Sequence, residues 1–219
     1  MRPGRHLVVF LRAPQLGRVK SRLAAGIGAL AALRFYRGTS TRLLRVMARD
    51  RRWRLELWLT PDRAARARWP VTAPRRGQGG GDLGRRMARV FAQMPPGPAV
   101  IIGSDIPDLR PAHVAAAFRA LGRAEAVFGP ATDGGYWLVG LRRRPRVPRG
   151  LFERVRWSSD QALSDTLAGL PRGMSVALLE MLADVDDAAD YARWRAARRI
   201  AWSPAGASGC PCNRESPHR

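Results

Sequence analysis

Short apolar runs recur at residues 7–11, 55–59, 99–102, 126–128, 137–141 and 176–179, with segments of helical periodicity between them. That alternation predicts an α/β domain with a largely parallel sheet. Helices are expected at residues 29–47, 83–94, 111–121 and 188–198, with Pro111 suited to a first helical turn. Right-handed crossovers bring the loops that follow the strands to one edge, where open α/β sheets bind ligands. Residues 70–82 and 142–150, rich in Gly, Pro and Arg, read as loops. From Ser203 the chain carries little that could be buried, so a single domain at 1–202 and a disordered tail at 203–219 are expected.

A formal charge of +22 would ordinarily raise nucleic acid as a partner. Here the arginines are spread along the whole chain, and no aromatic-interleaved basic stripe accompanies them, so nucleic acid is not the expected partner. No apolar stretch approaches the roughly 18 residues that span a bilayer, and residues 7–11 are too few for a signal segment. The two cysteines, Cys210 and Cys212, sit in the tail and build neither a disulfide framework nor a four-ligand zinc site. A cytoplasmic protein is expected.

Lys20 is the only lysine among 39 basic residues. Lysine is a compact charge with rotatable donors, whereas arginine is a planar fork, and a tight phosphate loop distinguishes the two. The residue lies in PxxGxxKxRL (Pro14, Gly17, Lys20, Arg22, Leu23), directly after the first apolar run. Gly17 permits unusual backbone angles, and two cations precede a helix whose first amides can also face an anion, which together make a phosphate cradle.

The run AVII leads into Gly103, Ser104 and Asp105, placing a carboxylate at the ligand edge of the sheet. One or two carboxylates plus phosphate oxygens are the usual shell of Mg²⁺ or Mn²⁺. The alternative is a turn or cap residue. In FGPATDGGYWLVG, Asp133, Gly134, Gly135, Tyr136 and Trp137 suit a sugar or other polyol; a tight hairpin with its aromatics in the core is the competing account. ADVDD gathers Asp184, Asp186 and Asp187, carboxylates that repel one another unless a cation compensates. Asp186 is a candidate second metal ligand, and Asp186 or Asp187 is equally suited to cap the last helix. In GQGGGDLGRRM, Gln78, Asp82, Gly84 and Arg85 form a flexible loop opening a helix, suited to a base or ribose. Trp157, Ser158 and Ser159 could line an acceptor side.

At PxxGxxKxRL, GDLGxRM, GSDIP, FGPAxDGGYW and DVD, in order from about Leu7 to about Tyr191, the chain resembles a family of bacterial glycosyltransferase-like proteins. Members are described as associated with radical SAM or selenium-related domains, and some are assigned to arsenosugar biosynthesis. The resemblance implies the three-layer glycosyltransferase A fold of nucleotide-diphospho-sugar transferases, with a mainly parallel mixed sheet. It also implies a nucleotide or nucleotide-sugar ligand and a divalent metal at Asp105. Lys20, Ser21, Arg22 and Leu23 further resemble the corresponding stretch of phospholactate guanylyltransferases, which transfer a nucleotidyl group on the same fold. The expected function is therefore metal-dependent glycosyl transfer from a nucleotide-diphosphate sugar to a small acceptor. Lys20 and Arg22 would hold the diphosphate, Asp105 and Asp186 the metal, and Asp133, Tyr136 and Trp137 the sugar or acceptor. Nucleotidyl transfer from a nucleoside triphosphate to a phosphorylated substrate is the enzymatic alternative, and a basic polyanion-binding module the non-enzymatic one.

Overall fold

A computed structural model of the chain describes residues 4–143, 148 and 150–202. The expected tail with its two cysteines, and most of the expected loop at 142–150, lie outside the described residues.

Seven strands form one sheet in the order β3-β2-β1-β4-β6-β5-β7. They are β1 (His6–Arg12), β2 (Arg54–Thr60), β3 (Arg75–Gly77), β4 (Ala99–Ile102), β5 (Ala126–Pro130), β6 (Tyr136–Leu141) and β7 (Val176–Leu178). The helices are α1 (Ser21–Ile27), α2 (Ala29–Arg49), α3 (Leu83–Gln93), α4 (Pro111–Ala120), α5 (Ala162–Ala168) and α6 (Ala188–Trp202). Every neighbouring pair is parallel except those made by β6, which runs antiparallel to both β4 and β5. This is the mainly parallel mixed sheet of the expected fold.

Strand side chains alternate between the faces of a sheet, and both faces here are covered, which is why the central strands read as continuous apolar runs. Leu7, Val9 and Leu11 of β1 pack with Leu43, Leu44 and Met47 of α2 and Val114 and Phe118 of α4. Val8 and Phe10, one residue out of phase, join Met87, Val90 and Phe91 of α3 and Leu163 of α5 on the other face. The result is three layers. α1, α2 and α6 enclose a smaller cluster of Leu23, Ala32 and Val185, against which Phe35, Tyr191 and Trp194 pack edge-on and stacked.

Three elements depart from the sequence expectation. β3 lies inside the segment 70–82 read as loop: Arg75, Arg76 and Gly77 pair with Leu57, Trp58 and Leu59 at the sheet edge. Arg75 and Arg76 are exposed, so the strand carries none of the apolar alternation that marks a buried one. α1 and α5 have seven residues each, too short for a clear helical period. Among the described residues no helix is long and apolar enough to cross a membrane.

β6 positions the site. It returns from β5 through a hairpin turn at residues 131–135 and inserts between β4 and β5. Because it is antiparallel it begins at the edge where β1, β4 and β5 end, so the Asp133 turn joins the loops that follow those strands.

Candidate active site

At this edge lies a cavity of about 760 Å³, walled by the ends of β1, β3 and β4, the β5–β6 turn, and residues 157–160 and 184–186. Lys20 reaches it from the position preceding α1, with a left-handed backbone at φ 49° and ψ 52°. Its ammonium donates to Asp105 Oδ2 at 2.9 Å and to Asp186 Oδ1 at 2.5 Å. Burial alone would lower the lysine pKa, but Asp105 and Asp186 together outweigh it and raise the value, so the ammonium stays charged. Residues 85 and 166 positions away from the lysine in sequence thus meet on one nitrogen.

Tyr36 of α2, which sequence reasoning missed, fastens two of the converging loops. Its hydroxyl accepts from the Arg12 amide at 3.0 Å, donates to the Arg12 carbonyl at 2.9 Å, and lies 3.2 Å from Ser104 Oγ. Burial raises its pKa, so the group is a neutral phenol that ties the end of β1 to the loop after β4. Nothing in the periodicity of α2 distinguishes this tyrosine from a core residue.

Asp133, Asp184 and Asp186 each offer a carboxylate oxygen within 4.8 Å of the others. Hard oxygen donors at that spacing, open on one side to the cavity, fit Mg²⁺ or Mn²⁺ with phosphate or water completing the shell. Asp105 adjoins this group through the shared lysine. Of the two candidate caps in ADVDD, Asp187 is the one used. Asp187 Oδ1 accepts from the Asp190 amide at 2.9 Å while Asp190 Oδ2 accepts from the Asp186 and Asp187 amides. This reciprocal cap starts α6 and leaves the Asp186 side chain free for the cleft.

Burial, then the charges of Asp186, Asp133 and Asp105, push the Asp184 carboxyl up to about 6, with Lys20 opposing. An acid whose folded pKa exceeds its unfolded value of about 3.9 holds more protons folded than unfolded between the two values. Stability therefore falls as pH rises from about 4 through about 6, and the cost is complete above that. Asp184→Asn is expected to be more stable than the parent at about pH 8 in chelator, by about 1 kcal/mol once solvent screening of a half-exposed group is allowed for. The advantage should vanish towards about pH 4 in thermal unfolding. A pH-independent difference would refute the assignment.

The other expected site residues divide into two sets. Arg22, Gln78, Gly135, Tyr136 and Trp137 line the cavity; Pro14, Gly17, Asp82, Gly84 and Gly134 do not. Gln78 is buried, and its amide nitrogen donates to the carbonyls of Leu11 and Trp58 at 3.3 and 2.9 Å. Two carbonyl partners orient the group, leaving Oε1 without a partner among the described residues and available as an acceptor. Asp82 caps α3 through the Arg85 amide. A Cβ at Gly84 would meet Phe152 O at 2.6 Å and the Trp157 ring at 2.8 Å, and one at Gly134 would meet the Asp160 backbone at 2.1 Å. Both glycines therefore serve packing of protein on protein. Trp137 is buried and donates to the Glu180 carbonyl, as the hairpin account requires, while Asp133 accepts from the Gly135 amide at 2.9 Å.

No curated protein matches the chain by sequence. A candidate nucleotide-diphospho-sugar transferase from Desulfovibrio desulfuricans G20 is similar in structure, with 27% identity and a TM-score of 0.71 over 84% of this chain and 82% of that one. 4-Diphosphocytidyl-2C-methyl-D-erythritolsynthase from Anaerococcus prevotii shares the fold at 10% identity, TM-score 0.56, over 90% and 99% of the two chains. Rv0371c from Mycobacterium tuberculosis H37Rv does so at 17% identity, TM-score 0.51, over 89% and 98%. The model of a family described as "uncharacterized protein conserved in bacteria", DUF2064, matches residues 43–159, a span that holds Asp105 and Asp133 but neither Lys20 nor Asp186. That match covers more than half of the sequence, and the chain belongs to the DUF2064 family.

Proposed function

We propose that this transferase uses a nucleotide-diphosphate sugar as donor and moves its sugar to a small acceptor, with a divalent cation. The observation that carries this reading is the convergence of Lys20, Asp105 and Asp186 at the ligand edge of a sheet with the nucleotide-diphospho-sugar transferase fold. Lys20 and Arg22 are the phosphate-binding cations of the cleft. Asp186, with Asp105 on one side and Asp133 and Asp184 on the other, would hold Mg²⁺ or Mn²⁺, which supplies neutralisation of the charge growing on the departing diphosphate. Gln78 Oε1 is suited to accept from an N–H of the base. The acceptor oxygen bonds to the anomeric carbon as the bond to the diphosphate breaks. The nucleoside diphosphate leaves with the electron pair, and the acceptor proton passes to a cleft carboxylate outside the metal-holding set. A reducing cytoplasm is the compartment this reading expects.

Nucleotidyl transfer would employ the same lysine and carboxylates, so products decide between the two. The purified protein is incubated with each nucleoside triphosphate and with nucleotide sugars in Mg²⁺ or Mn²⁺. Release of free nucleoside diphosphate from a nucleotide sugar is the expected result, and pyrophosphate release from a triphosphate would retire glycosyl transfer. A polyanion-binding module predicts instead tight, steeply salt-dependent nucleic-acid binding that ignores Asp105→Ala.

A further inference from the structure

Two helices carry opposite charges into the cleft, and the helices touch. Lys20 is the residue on which α1 starts: its carbonyl accepts from the Ala24 amide at 2.8 Å, so the lysine moves with the helix. Asp186 is tied to α6 in the same way, its amide donating to Asp190 Oδ2 at 2.9 Å. Both side chains line the cavity, where the ammonium meets Asp186 Oδ1 at 2.5 Å. The lysine's other acceptor, Asp105, follows β4 and belongs to neither helix.

The contact between the helices is made without a side chain on one of them. Gly26 of α1 rests against Ala188, the first residue of α6, and a Cβ at Gly26 would stand 2.4 Å from the Ala188 Cβ. Carbon atoms in contact settle at about 3.5–4.0 Å, so one added methyl would drive the helices apart by roughly 1 Å or more. Ala188 cannot turn its methyl aside, because a Cβ is fixed by the backbone. The surroundings give little room either. Leu23 of α1 and Val185 beside Asp186 are 0% and 2% exposed in one cluster with Ala32, against which Phe35, Tyr191 and Trp194 pack. Close-packed groups of this kind transmit a displacement instead of absorbing it.

From this contact we infer that Gly26 is a positioning residue of the site: its missing side chain sets the gap across which Lys20 and Asp186 face each other, and through that gap the affinity for a nucleoside diphosphate with its cation. The inference rests on the donor assignment above, in which those two residues hold phosphate and metal. Moving α1 away from α6 misplaces the ammonium relative to Asp186, and a misplacement of about 1 Å by a residue remote from the chemistry can cost about 100-fold. Helix propensity acts in the opposite sense. Gly26 lies within α1, where alanine is favoured over glycine by about 1 kcal/mol, so Gly26→Ala should disturb the site without a matching loss of stability.

The test uses the full chain, titrating UDP, GDP, ADP and CDP in Mg²⁺ by calorimetry, with thermal unfolding of each variant in parallel. Gly26→Ala is expected to weaken the diphosphate that the parent binds best by about tenfold or more, with Tm within about 4 °C of the parent. Ala188→Gly is the compensating change. In the double variant Gly26→Ala/Ala188→Gly the added methyl meets the Cα and nitrogen of residue 188 at 3.7 and 3.9 Å, ordinary contact distances. The original spacing is then kept, and affinity should return to within about threefold of the parent. A residue that serves only the fold would give no such recovery of binding at nearly constant stability. With binding by the parent established, unchanged affinity in Gly26→Ala, no recovery in the double variant, or loss of folding in the single variant each overturn this inference and leave the donor assignment standing. A parent that binds neither the diphosphates nor nucleotide sugars defeats the donor assignment and this inference with it.

Discussion

Lys20→Met is expected to lower nucleotide affinity by about 100-fold and to destabilise the metal-free protein by about 2 kcal/mol, which divalent metal then partly restores. The substitution keeps side-chain length and removes the charge. Asp105 and Asp186 are left facing each other across the vacated ammonium position, beside Asp133 and Asp184. Losing one partner of a buried ion pair ordinarily costs about 3–5 kcal/mol; the smaller figure reflects that Asp105 and Asp186 are 38% and 41% exposed, while Lys20 is 6% exposed. For a chain of this length the shift is on the order of 4–8 °C in Tm. Mg²⁺ or Mn²⁺ should stabilise the variant more than the parent, because in the parent the ammonium already occupies the carboxylates. Lys20→Gly separates charge from backbone: the left-handed residue is freed of roughly 1 kcal/mol of strain, so this variant should be more stable than Lys20→Met yet bind nucleotide no better. Calorimetric titration with nucleotide, and thermal unfolding with and without metal, read out both effects. Undiminished nucleotide affinity in Lys20→Met would remove the lysine from the site.

How much of this was legible beforehand depended on the kind of signal. The central strands announced themselves because both faces of the sheet are covered, so β1 and β4, and β2 from Leu57 to Leu59, had to be apolar at successive positions. β3 could not announce itself, since it is held by backbone pairing to β2 while its arginines face solvent. Lys20 stood out by composition and Asp105 by its place after an apolar run, and the two do share a nitrogen-to-oxygen contact of 2.9 Å. Their meeting with Asp133 required the antiparallel insertion of β6, and a Gly-Gly turn is compatible with many sheet positions. Glycines misled in a particular way. Gly84 and Gly134 looked like openings for a ligand, but the space beside each is filled by Trp157 and Phe152 in one case and by Asp160 in the other. A glycine in sequence reports close approach without naming what approaches. Tyr36 left no trace at all, because a helix residue that hydrogen-bonds across a core resembles any other aromatic on the buried face.

Asp186→Ala and Asp187→Ala, adjacent substitutions on one loop, should fail in different ways. Asp186 contributes one oxygen to the lysine and one carboxylate to the group with Asp133 and Asp184, whereas Asp187 accepts from the Asp190 amide and points along α6. Losing the cap at Asp187 is expected to cost about 1 kcal/mol of stability and to leave nucleotide binding within about threefold of the parent. Losing Asp186 removes the carboxylate common to both the lysine and the metal-ligating set. Metal-dependent nucleotide affinity is then expected to fall by about 100-fold, with the chain still folded because Lys20 keeps Asp105. The repulsion on Asp184 also drops, since Asp186 is the largest of the charges raising its pKa. Nucleotide titrations at fixed Mg²⁺, repeated in chelator, distinguish the two variants from each other and from unfolding. If both lose binding equally the loop acts through its fold, and if Asp186→Ala keeps the parent's full gain in nucleotide affinity on adding metal, Asp186 has no part in holding the cation.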